Sequence, residues 1–544
     1  MHFLHTLGAL AAVTGFAPAF GADVSSKPVK QVAVIGAGAA GASTAYHLHR
    51  YAEEAGIAVN ITVFEKSSRV GGRTLTVNAH DNPLSPVELG ASIFVKVNHI
   101  LWNATDEFNL RRINPGLDEN GILGIWDGDS FVYTQDSESW GWWSLAKLFW
   151  KYGTAPYYVN NLVQQTVGTF LKLYEKPYFP FRSLTTRAFE LDLVKVTGVT
   201  GTQFLVANKL DGPFAHDIVQ AASRVNYMSN LAYIHGLGTM VSMAPEGAKS
   251  VVGGNWRIFT SMIESSKAYL NLNTTVTSIA QENTRDGDDG TYKYIIKTSN
   301  ISSPEAGKVV RQSVVFDDVV IATPWQFSDI EEEGDVIQHP IEPVPYAKLH
   351  VTLFSSPFRF SPQYFNLDPA APVPNSVLTT LAMDDEAKPG SGGAGKAGFF
   401  SATQIFSPEA VTSDFLSSLL GVEVPETFVR TPTTKDDGED AEFEMIDPIS
   451  WYHPAVFHPY PQKLPRVTFQ DPILGRGLYY TSGMESFIST METCALMGKN
   501  VARLIADDYL GVSNADGENA SAGLKHDDDQ MVLGGQQSVA TDEL

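Results

Sequence analysis

Three glycines near the start of the chain have the spacing found in loops that bind phosphate groups. Gly36, Gly38 and Gly41 form the pattern GxGxxG. The pattern follows an apolar run at residues 32–35, typical of a buried strand, and precedes an alanine-rich stretch with helical spacing. The first glycine permits the tight turn, the second lets a pyrophosphate approach, and the third lets strand and helix pack closely. The sequence therefore predicts a helix N-terminus that binds the phosphates of a dinucleotide.

A carboxylate and a second glycine loop extend this predicted site. Residues 61–64 form a second apolar strand, and Glu65 at its end can accept hydrogen bonds from a ribose diol. The sequence RVGGRT then places Arg69, Gly72 and Arg73 where amides and guanidinium groups can return to the phosphates. NAD and FAD enzymes both use the first loop, but nicotinamide enzymes do not usually need the second contact. The two loops together therefore favour FAD.

Three later segments are predicted to return to the same cofactor. Gly90, within ELGAS, permits another close approach, although a plain turn would give the same pattern. Thr323 follows a buried strand and precedes a proline, so its backbone can meet the cofactor. Gly483 and Met484 lie where another strand enters a turn. A helix predicted over residues 487–508 follows, and its N-terminus can face the phosphate or the ribityl chain.

Composition and charge exclude several other classes of protein. The chain has 544 residues, of which 43% are hydrophobic and 18% are charged, as is typical of a globular protein with two or more domains. Lys and Arg number 38 against 61 Asp and Glu, and the net charge of −23 repels nucleic acid. Cys494 is the only cysteine, which excludes an intramolecular disulfide and a thiolate metal site. We expect neither a metal nor a nucleic-acid partner.

The predicted elements alternate along the chain, which indicates interleaved domains. The expected fold class is α/β, with a Rossmann-type FAD-binding domain interleaved with an α+β substrate domain. The expected blocks are residues 29–95, 246–345 and 461–510 for the FAD-binding domain, and residues 96–245 and 346–460 for the substrate domain. Residues 511–544 are small, polar and acidic, and are predicted to be a disordered tail.

The N-terminus and several asparagines indicate secretion. Residues 1–22 combine an apolar run with small residues suited to cleavage, and resemble a secretory signal peptide that lacks Lys or Arg before the run. Candidate N-glycosylation sequons begin at Asn103, Asn273, Asn300 and Asn519. We therefore expect the secretory pathway, with a vacuolar, lysosomal or extracellular destination.

A dense group of aromatic residues is the candidate substrate pocket. Trp142 and Trp143 belong to a run of Trp, Phe and Tyr residues between positions 140 and 158. Aromatic residues at helical spacing are more often core than pocket. However, consecutive residues on a helix point about 100° apart, so one buried face does not hold them all. We expect some of these rings, Trp142 and Trp143 among them, to line an apolar tunnel or to contact a membrane surface.

From about residue 29 to 510 the sequence resembles the prenylcysteine oxidase (prenylcysteine lyase) family, within the FAD-dependent amine oxidase and phytoene desaturase superfamily. The glycine loops specify only the superfamily. Three further segments indicate the family, namely WGWWSLAKLFWKYG at 140–153, RVNY at 224–227 and METCALMGKNVA at 491–502. The resemblance implies that the backbone at Val276 holds the adenine edge and that Tyr227 contacts the substrate.

The resemblance also implies the reaction, which is oxidative cleavage of the thioether in S-farnesyl- or S-geranylgeranylcysteine. A hydride passes from the carbon beside sulfur to the flavin, water adds to that carbon, and cysteine and a prenyl aldehyde separate. Molecular oxygen then reoxidises the flavin and forms hydrogen peroxide. The expected partners are a hydrophobic prenylated small molecule and O2. FAD is expected to be bound non-covalently, because Cys494 falls within a predicted helix and not in a loop beside the ring.

Lys348 and His350 are the candidate catalytic residues. They alternate on one face of a predicted strand within YAKLHVTL, and they are placed to position water or oxygen, as a lysine does in the related amine oxidases. Two other functions remain open at this stage. One is a related flavin oxidase or desaturase acting on another prenylated or polycyclic compound. The other is a secreted flavoprotein that has lost its activity and binds lipids.

Overall fold

The structure is a computed structural model that begins, in its described part, at Val29. It describes residues 29–115, 121–136, 148–245, 247–282, 293–301, 309–380, 399–401, 404–427 and 447–512. Trp142, Trp143, Asn519, the predicted signal peptide and the predicted tail beyond residue 512 lie outside these ranges.

Strands from distant parts of the chain form the sheets. In chain order the strands are β1 Lys30–Ile35, β2 Val59–Phe64, β3 Thr76–Asn78, β4 Pro86–Glu88, β5 Arg112–Ile113, β6 Ile122–Trp126, β7 Phe131–Asp136, β8 Ser250–Val251, β9 Tyr269–Asn271, β10 Thr274–Gln281, β11 Tyr294–Ile301, β12 Val309–Phe316, β13 Asp318–Ile321, β14 Glu331–Glu333, β15 Leu349–Ser355, β16 Ser376–Thr379, β17 Phe399–Ser401, β18 Gln404–Ser407, β19 Trp451–Phe457, β20 Ile473–Gly475 and β21 Leu478–Tyr480.

Most of the α-helices lie between strands β7 and β9 in the sequence, and the last one follows strand β21. In chain order they are α1 Ala39–Ala55, α2 His99–Glu107, α3 Ala155–Leu171, α4 Leu184–Glu190, α5 Val194–Thr197, α6 Gly201–Ala207, α7 Gln220–Tyr227, α8 Gly236–Ser242, α9 Trp256–Ser265, α10 Ser413–Leu420 and α11 Met491–Tyr509. Among the described residues, no helix is both long enough and apolar enough to cross a bilayer.

A six-stranded sheet carries the predicted dinucleotide-binding turn. Its order is β20-β21-β13-β1-β2-β9, and all neighbours are parallel except the edge strand β20. Val32, Ala33 and Val34 of β1 are fully buried because both faces of the sheet are covered. Helices α1, α9 and α11 cover one face, and the four-stranded sheet β12-β11-β10-β14 covers the other. The predicted Rossmann-type α/β fold is confirmed.

A seven-stranded sheet forms the second domain. Its order is β19-β15-β18-β17-β16-β6-β7, so it combines two strands that precede α3 with five that follow β14. Helix α10 packs on one face through Phe415, Leu416 and Leu419. The other face contributes Leu349, Val351 and Leu353 to a separate apolar cluster. The chain therefore passes between the two sheets repeatedly.

Helix α11 packs directly against α1. The Ser43 hydroxyl donates to the carbonyl oxygen of Ala495 at 2.6 Å, and the Thr44 hydroxyl donates to that of Gly498 at 3.3 Å. The helices run parallel, because residues near the start of α1 meet residues near the start of α11. A Cβ atom at Gly498 would lie 2.2 Å from the carbonyl oxygen of Ala40. A glycine is therefore required at this crossing.

Helix α11 begins later than the sequence predicted. Residues 482–486 form a 3-10 turn, and the regular helix starts at Met491. The N-cap residue is Thr490, whose hydroxyl accepts a hydrogen bond from the amide of Thr493 at 3.1 Å. This cap stops the helix from continuing back toward residue 487.

Replacing Gly498 by alanine should destabilise the first domain. The added Cβ would be 2.2 Å from a backbone oxygen, so the backbone of α1 or α11 has to move. Overpacking of this kind costs about 1–3 kcal/mol. We expect G498A to lower the free energy of unfolding by about that amount, measured by urea denaturation.

Gly168 provides the matched control. It lies inside α3, and no atom is within 4 Å of a Cβ built there. Since alanine is the better helix former, G168A should be neutral or stabilising by up to about 1 kcal/mol. If both alanine variants had the same stability as the natural protein, the close contact between α1 and α11 would be wrong.

Candidate active site

A cavity of about 760 Å³ lies between the two domains. Its walls include both glycine loops, the N-termini of α1 and α11, and the inner face of the seven-stranded sheet. Of the predicted cofactor residues, those that line it are Gly36, Gly38, Glu65, Arg69, Gly72, Arg73, Gly90, Val276 and Thr323. The structure therefore brings these separated positions together.

The first glycine loop is shaped by two close approaches. Gly36 has φ of +104°, and a Cβ there would lie 2.9 Å from the carbonyl oxygen of Ala322. Gly41 does not line the cavity, since a Cβ there would lie 1.9 Å from the carbonyl oxygen of Gly36. Gly41 therefore packs the first turn of α1 against the loop at Gly36. The start of α1 at Ala39 borders the cavity with its free amides.

Glu65 holds the two loops in place. One carboxylate oxygen accepts a hydrogen bond from the amide of Ala37 at 2.9 Å, and the other accepts one from the amide of Ser67 at 2.8 Å. Each oxygen keeps a further lone pair that faces the cavity wall. The arrangement fits the predicted contact with a ribose diol while also fixing the loop.

The second glycine loop is bonded to the first. The amide of Gly71 donates to the carbonyl oxygen of Ala37 at 2.9 Å, and a Cβ at Gly72 would lie 3.2 Å from the Cα of Gly38. Arg69 donates to the carbonyl oxygen of Gly72 at 2.8 Å, so its guanidinium braces its own loop. The two loops form one continuous surface, and backbone amides are the principal hydrogen-bond donors on it.

Arg73 is paired with a carboxylate that the sequence analysis did not identify. Its guanidinium donates to both oxygens of Glu485 at 2.7 Å and to the carbonyl oxygen of Pro459 at 2.6 Å. The Tyr346 hydroxyl donates to the same carboxylate at 3.1 Å. Arg73 lines the cavity, so its contact with the cofactor stays a prediction, but its charge is balanced by Glu485.

The N-terminus of α11 closes another side of the cavity. Thr490, Glu492 and Cys494 line it. Glu492 accepts hydrogen bonds from the amides of Ile100 at 2.9 Å and Leu101 at 3.0 Å, and burial raises its pKa to about 7. Burial also raises the pKa of the Cys494 thiol to about 12, so this thiol stays protonated and unreactive near neutral pH.

Part of the cavity wall is apolar and aromatic. Phe170 and Leu171 of α3, together with Leu349 and Val351 of β15, line this part. Tyr227 also lines the cavity, and it meets Tyr460 edge to face with ring centroids 5.4 Å apart. Its contact with the substrate stays a prediction. Such walls suit a long hydrocarbon chain.

Lys348 and His350 do not line the cavity. Side chains on a strand alternate between its faces, and β15 presents Leu349 and Val351 inward. Lys348 is exposed, and burial lowers the pKa of half-buried His350, with the nearby Lys348 lowering it further. The prediction that these two residues position water or oxygen beside the cofactor is therefore corrected: they share a face, but it is the outer one.

Gly483 and Met484 also lie outside this cavity, although their neighbours Ser482 and Glu485 line it. Met484 is fully buried in the core, and a Cβ at Gly483 would lie 2.3 Å from the carbonyl oxygen of Gln470. The 3-10 turn at 482–486 is the reason, because its three residues per turn place Ser482 and Glu485 on the same face and turn Gly483 and Met484 to the other sides.

The predicted glycosylation sites and the predicted aromatic pocket lie largely at the surface or outside the described residues. Asn103 and Asn273 are exposed, whereas Asn300 is half-buried in β11 and donates to the Thr274 hydroxyl at 3.2 Å. Of the aromatic run, Trp142 and Trp143 lie outside the described residues. Trp150 is 92% exposed and Tyr157 is 65% exposed, so these rings are not core.

Lys463 is a buried residue that the sequence analysis missed. It is 2% exposed and lies against the rings of Tyr227 and Tyr460. Its position within PYPQKLP gave no signal of burial, since a lysine in a proline-rich segment is ordinarily exposed to solvent. Among the described residues, no cluster of His, Cys, Asp or Glu could hold a metal ion.

The fold is one that known dinucleotide-binding proteins also have. Residues 34–108 match the NAD(P)-binding Rossmann-like domain. Cyclohexylamine oxidase from Brevibacterium oxydans has a similar structure, with a TM-score of 0.51 at 13% identity, over 89% of this chain and 100% of that one. A fatty acid isomerase from P. acnes has a TM-score of 0.52 at 14% identity, over 87% and 98%.

The family follows from the rest of the chain. Residues 135–517 match the prenylcysteine lyase family, and the chain belongs to it. Farnesylcysteine lyase of Arabidopsis thaliana is 27% identical over 529 residues, covering 91% of this chain and 92% of that protein. Prenylcysteine oxidase 1 of Rattus norvegicus is 24% identical over 501 residues, covering 89% and 90%. The protein is an FAD-dependent oxidoreductase, as predicted.

Replacing Glu485 by glutamine should weaken the hydrogen-bonded pair that it forms with Arg73. The Glu485 side chain is 2% exposed, and the change leaves the guanidinium without its counter-charge. Hydrogen bonds to charged groups contribute about 1.5–3 kcal/mol. We expect E485Q to lose stability in that range by urea denaturation and to purify with a lower ratio of flavin to protein absorbance.

The exposed pair of Arg50 and Glu107 is the control for this substitution. These side chains are about half exposed and 3.5 Å apart. Pairs of this kind contribute roughly 0–1 kcal/mol, so E107Q should leave stability and flavin content near those of the natural protein. Equal losses of unfolding free energy in E485Q and E107Q would show that the ion pair of Arg73 and Glu485 contributes no more than an exposed pair.

Proposed function

We propose that this protein cleaves the thioether of S-prenylcysteine oxidatively, releasing cysteine, a prenyl aldehyde and hydrogen peroxide. The observation that carries the proposal is one cavity whose wall combines two kinds of surface. The glycine loops and two helix N-termini suit a dinucleotide, and Phe170, Leu171 and Tyr227 contribute apolar and aromatic surface. Family membership and the names of the relatives support a prenylated thioether as the substrate.

The residues of this chain position the reactants. When bound, FAD would supply the hydride acceptor and the route of the electrons to oxygen. The amides at the start of α1 and the carboxylate of Glu65 would hold its phosphates and ribose. The apolar walls at Leu349 and Val351 would hold the prenyl chain. Since Lys348 and His350 face away, we assign no proton transfer to them.

We further propose that FAD is bound non-covalently. The only cysteine, Cys494, keeps its proton near neutral pH because burial raises the pKa of its thiol to about 12. A protonated thiol is a weak nucleophile toward a flavin. Backbone amides and Glu65 are sufficient contacts for tight binding.

Anaerobic mixing with S-farnesylcysteine tests the proposed reaction. We expect the flavin absorbance near 450 nm to bleach, and we expect farnesal, free cysteine and hydrogen peroxide after oxygen is admitted. Acid precipitation should leave the yellow colour in the supernatant. Bleaching only with another prenylated compound would show that this compound, and not prenylcysteine, is the substrate. Lipid binding without bleaching would show a flavoprotein that has lost its activity. Colour in the washed pellet would contradict non-covalent binding.

We also propose that the protein follows the secretory pathway to a lumenal or extracellular site. The leader at residues 1–22 and the exposed sequons at Asn103 and Asn273 support this. A protein that retains Met1 and carries no glycan mass would contradict the proposal.

Contact with a lipid surface is a related proposal. Phe149, Trp150, Tyr157 and Tyr158 are all more than half exposed and lie next to one another in the chain. Trp and Tyr favour the interface between lipid headgroups and acyl chains. Helix α3 connects this aromatic group to the cavity, because Tyr157 and Tyr158 lie at its start and Phe170 and Leu171 at its end. At 1.5 Å per residue, Phe170 lies about 20 Å along the helix from Tyr157, so the proposal concerns where the protein meets the lipid and not where the substrate enters.

Vesicle binding of a Trp150 variant tests the lipid contact. We expect the natural protein to co-sediment with phosphatidylcholine vesicles, and W150S to bind several-fold more weakly because a 92% exposed ring has been removed. Tyr269, which is 65% exposed at the edge strand β9, supplies the control variant Y269S. Equal binding by both variants would contradict this placement.

A further inference from the structure

Lys463 carries a buried ammonium to which the described residues offer no hydrogen-bond acceptor. The residue is 2% exposed, and its Nζ atom has no hydrogen-bond partner. An ammonium has three donors, and leaving them unpaired away from water is costly. Nζ lies 3.8 Å from the ring centroid of Tyr227 and 5.0 Å from that of Tyr460. Cation–π attraction offsets part of this cost.

The groups around this ammonium border the cavity. Tyr227, Tyr460, Glu485 and Cys494 all line it, whereas Lys463 does not. The ammonium therefore lies one side chain behind the wall. It can act on a ligand through the two rings and through its electric field, without touching the ligand.

The charges next to Lys463 do not balance it. Arg73 and Glu485 neutralise each other through two hydrogen bonds of 2.7 Å. Burial raises the pKa of the Cys494 thiol to about 12, and burial lowers the pKa of His235 to about 3, so both are neutral near pH 7. The tyrosine rings are neutral as well, because burial raises the pKa of both hydroxyls. Two further cations lie nearby, since the fully buried Arg224 lowers the pKa of Tyr460 and Arg466 lowers that of His235, so they add positive charge and do not balance Lys463.

We propose that Lys463 gives the part of the cavity wall formed by Tyr227 and Tyr460 an uncompensated positive charge. We propose that this charge selects for an anionic group on the bound ligand. Under the proposed function, on which the identity of the anion rests, two groups have this chemistry. One is the α-carboxylate of prenylcysteine, and the other is the reduced flavin, which carries a negative charge. Lys463 is thus a positioning residue.

Two arms of one experiment distinguish these sources. In the first, the holoenzyme is titrated calorimetrically with S-dodecyl-L-cysteine, which lacks the allylic carbon, and with its methyl ester. A unit charge about 7–10 Å away at an effective dielectric constant of about 20 gives roughly a tenfold to fiftyfold preference. If the carboxylate is the anion, K463M should lose a preference of this size for the free acid, whereas K463R should keep it.

The second arm uses sulfite, which adds to oxidised flavin and leaves a negative charge on the ring. If the reduced flavin is the anion, K463M should bind sulfite at least tenfold more weakly, measured by the loss of flavin absorbance. K195M removes an exposed lysine that is 72% accessible, and it should behave as the natural protein does in both arms. This arm needs only bound flavin, so it stays readable even if prenylcysteine is not the substrate.

Each outcome decides the proposal. A loss in the first arm assigns the charge to the carboxylate, a loss in the second assigns it to the flavin, and a loss in both assigns it to both. No loss in either arm, in K463M protein of normal melting temperature and flavin content, would overturn the proposal.

A pH titration keeps the proposal testable if K463M does not fold. The pKa of Lys463 is lowered to about 7, and burial is the main cause; Glu485 and Cys494 oppose this shift, and Arg73 adds to it. The ammonium is charged below this value and neutral above it, whereas arginine stays charged. The acid-over-ester preference, or the sulfite affinity, of the natural protein relative to K463R should therefore fall as pH rises from 6 to 8. Constant ratios in both measurements would overturn the proposal.

Discussion

The contact between α1 and α11 is the constraint on which the rest of the cavity depends. The two helices run parallel and side by side, so their positive dipole ends lie together at one wall. Such an arrangement is unfavourable unless packing holds the helices and an anion lies between their starts. The hydroxyl bonds of Ser43 and Thr44, and the absence of a side chain at Gly498, hold them. A dinucleotide phosphate would supply the missing negative charge.

A second junction connects this helical wall to the other domain. Arg73 follows the second glycine loop, Glu485 lies just before α11, and the carbonyl of Pro459 follows strand β19. One guanidinium thus joins the dinucleotide-binding loops, the closing helix and the seven-stranded sheet. Tyr346, just before β15, donates to the same carboxylate. Arg73, Glu485 and Pro459 all line the cavity, so this junction forms part of its wall.

The sequence predicted what short-range spacing determines. Gly36, Gly38 and Gly41 form a turn within six residues, and Glu65 ends the adjacent parallel strand, so their roles follow from local geometry. The pairing of Arg73 with Glu485 spans 412 positions and had no local signal. The alternation of Lys348 and His350 was also real, but alternation does not say which face is inward. The apolar residues Leu349 and Val351, between and beside them, marked the buried face.

The use of a cofactor also explains why few ionisable groups are needed. A flavin supplies the redox chemistry, so the protein has to place a carbon beside it and leave room for the one water that adds to that carbon. Leu349 and Val351 occupy the place where a strand could have presented a polar pair, and Cys494 is kept neutral by burial. In such surroundings each remaining charge acts over a longer range than in water. Lys463 therefore affects the cavity from behind its wall, where an exposed lysine would have little effect.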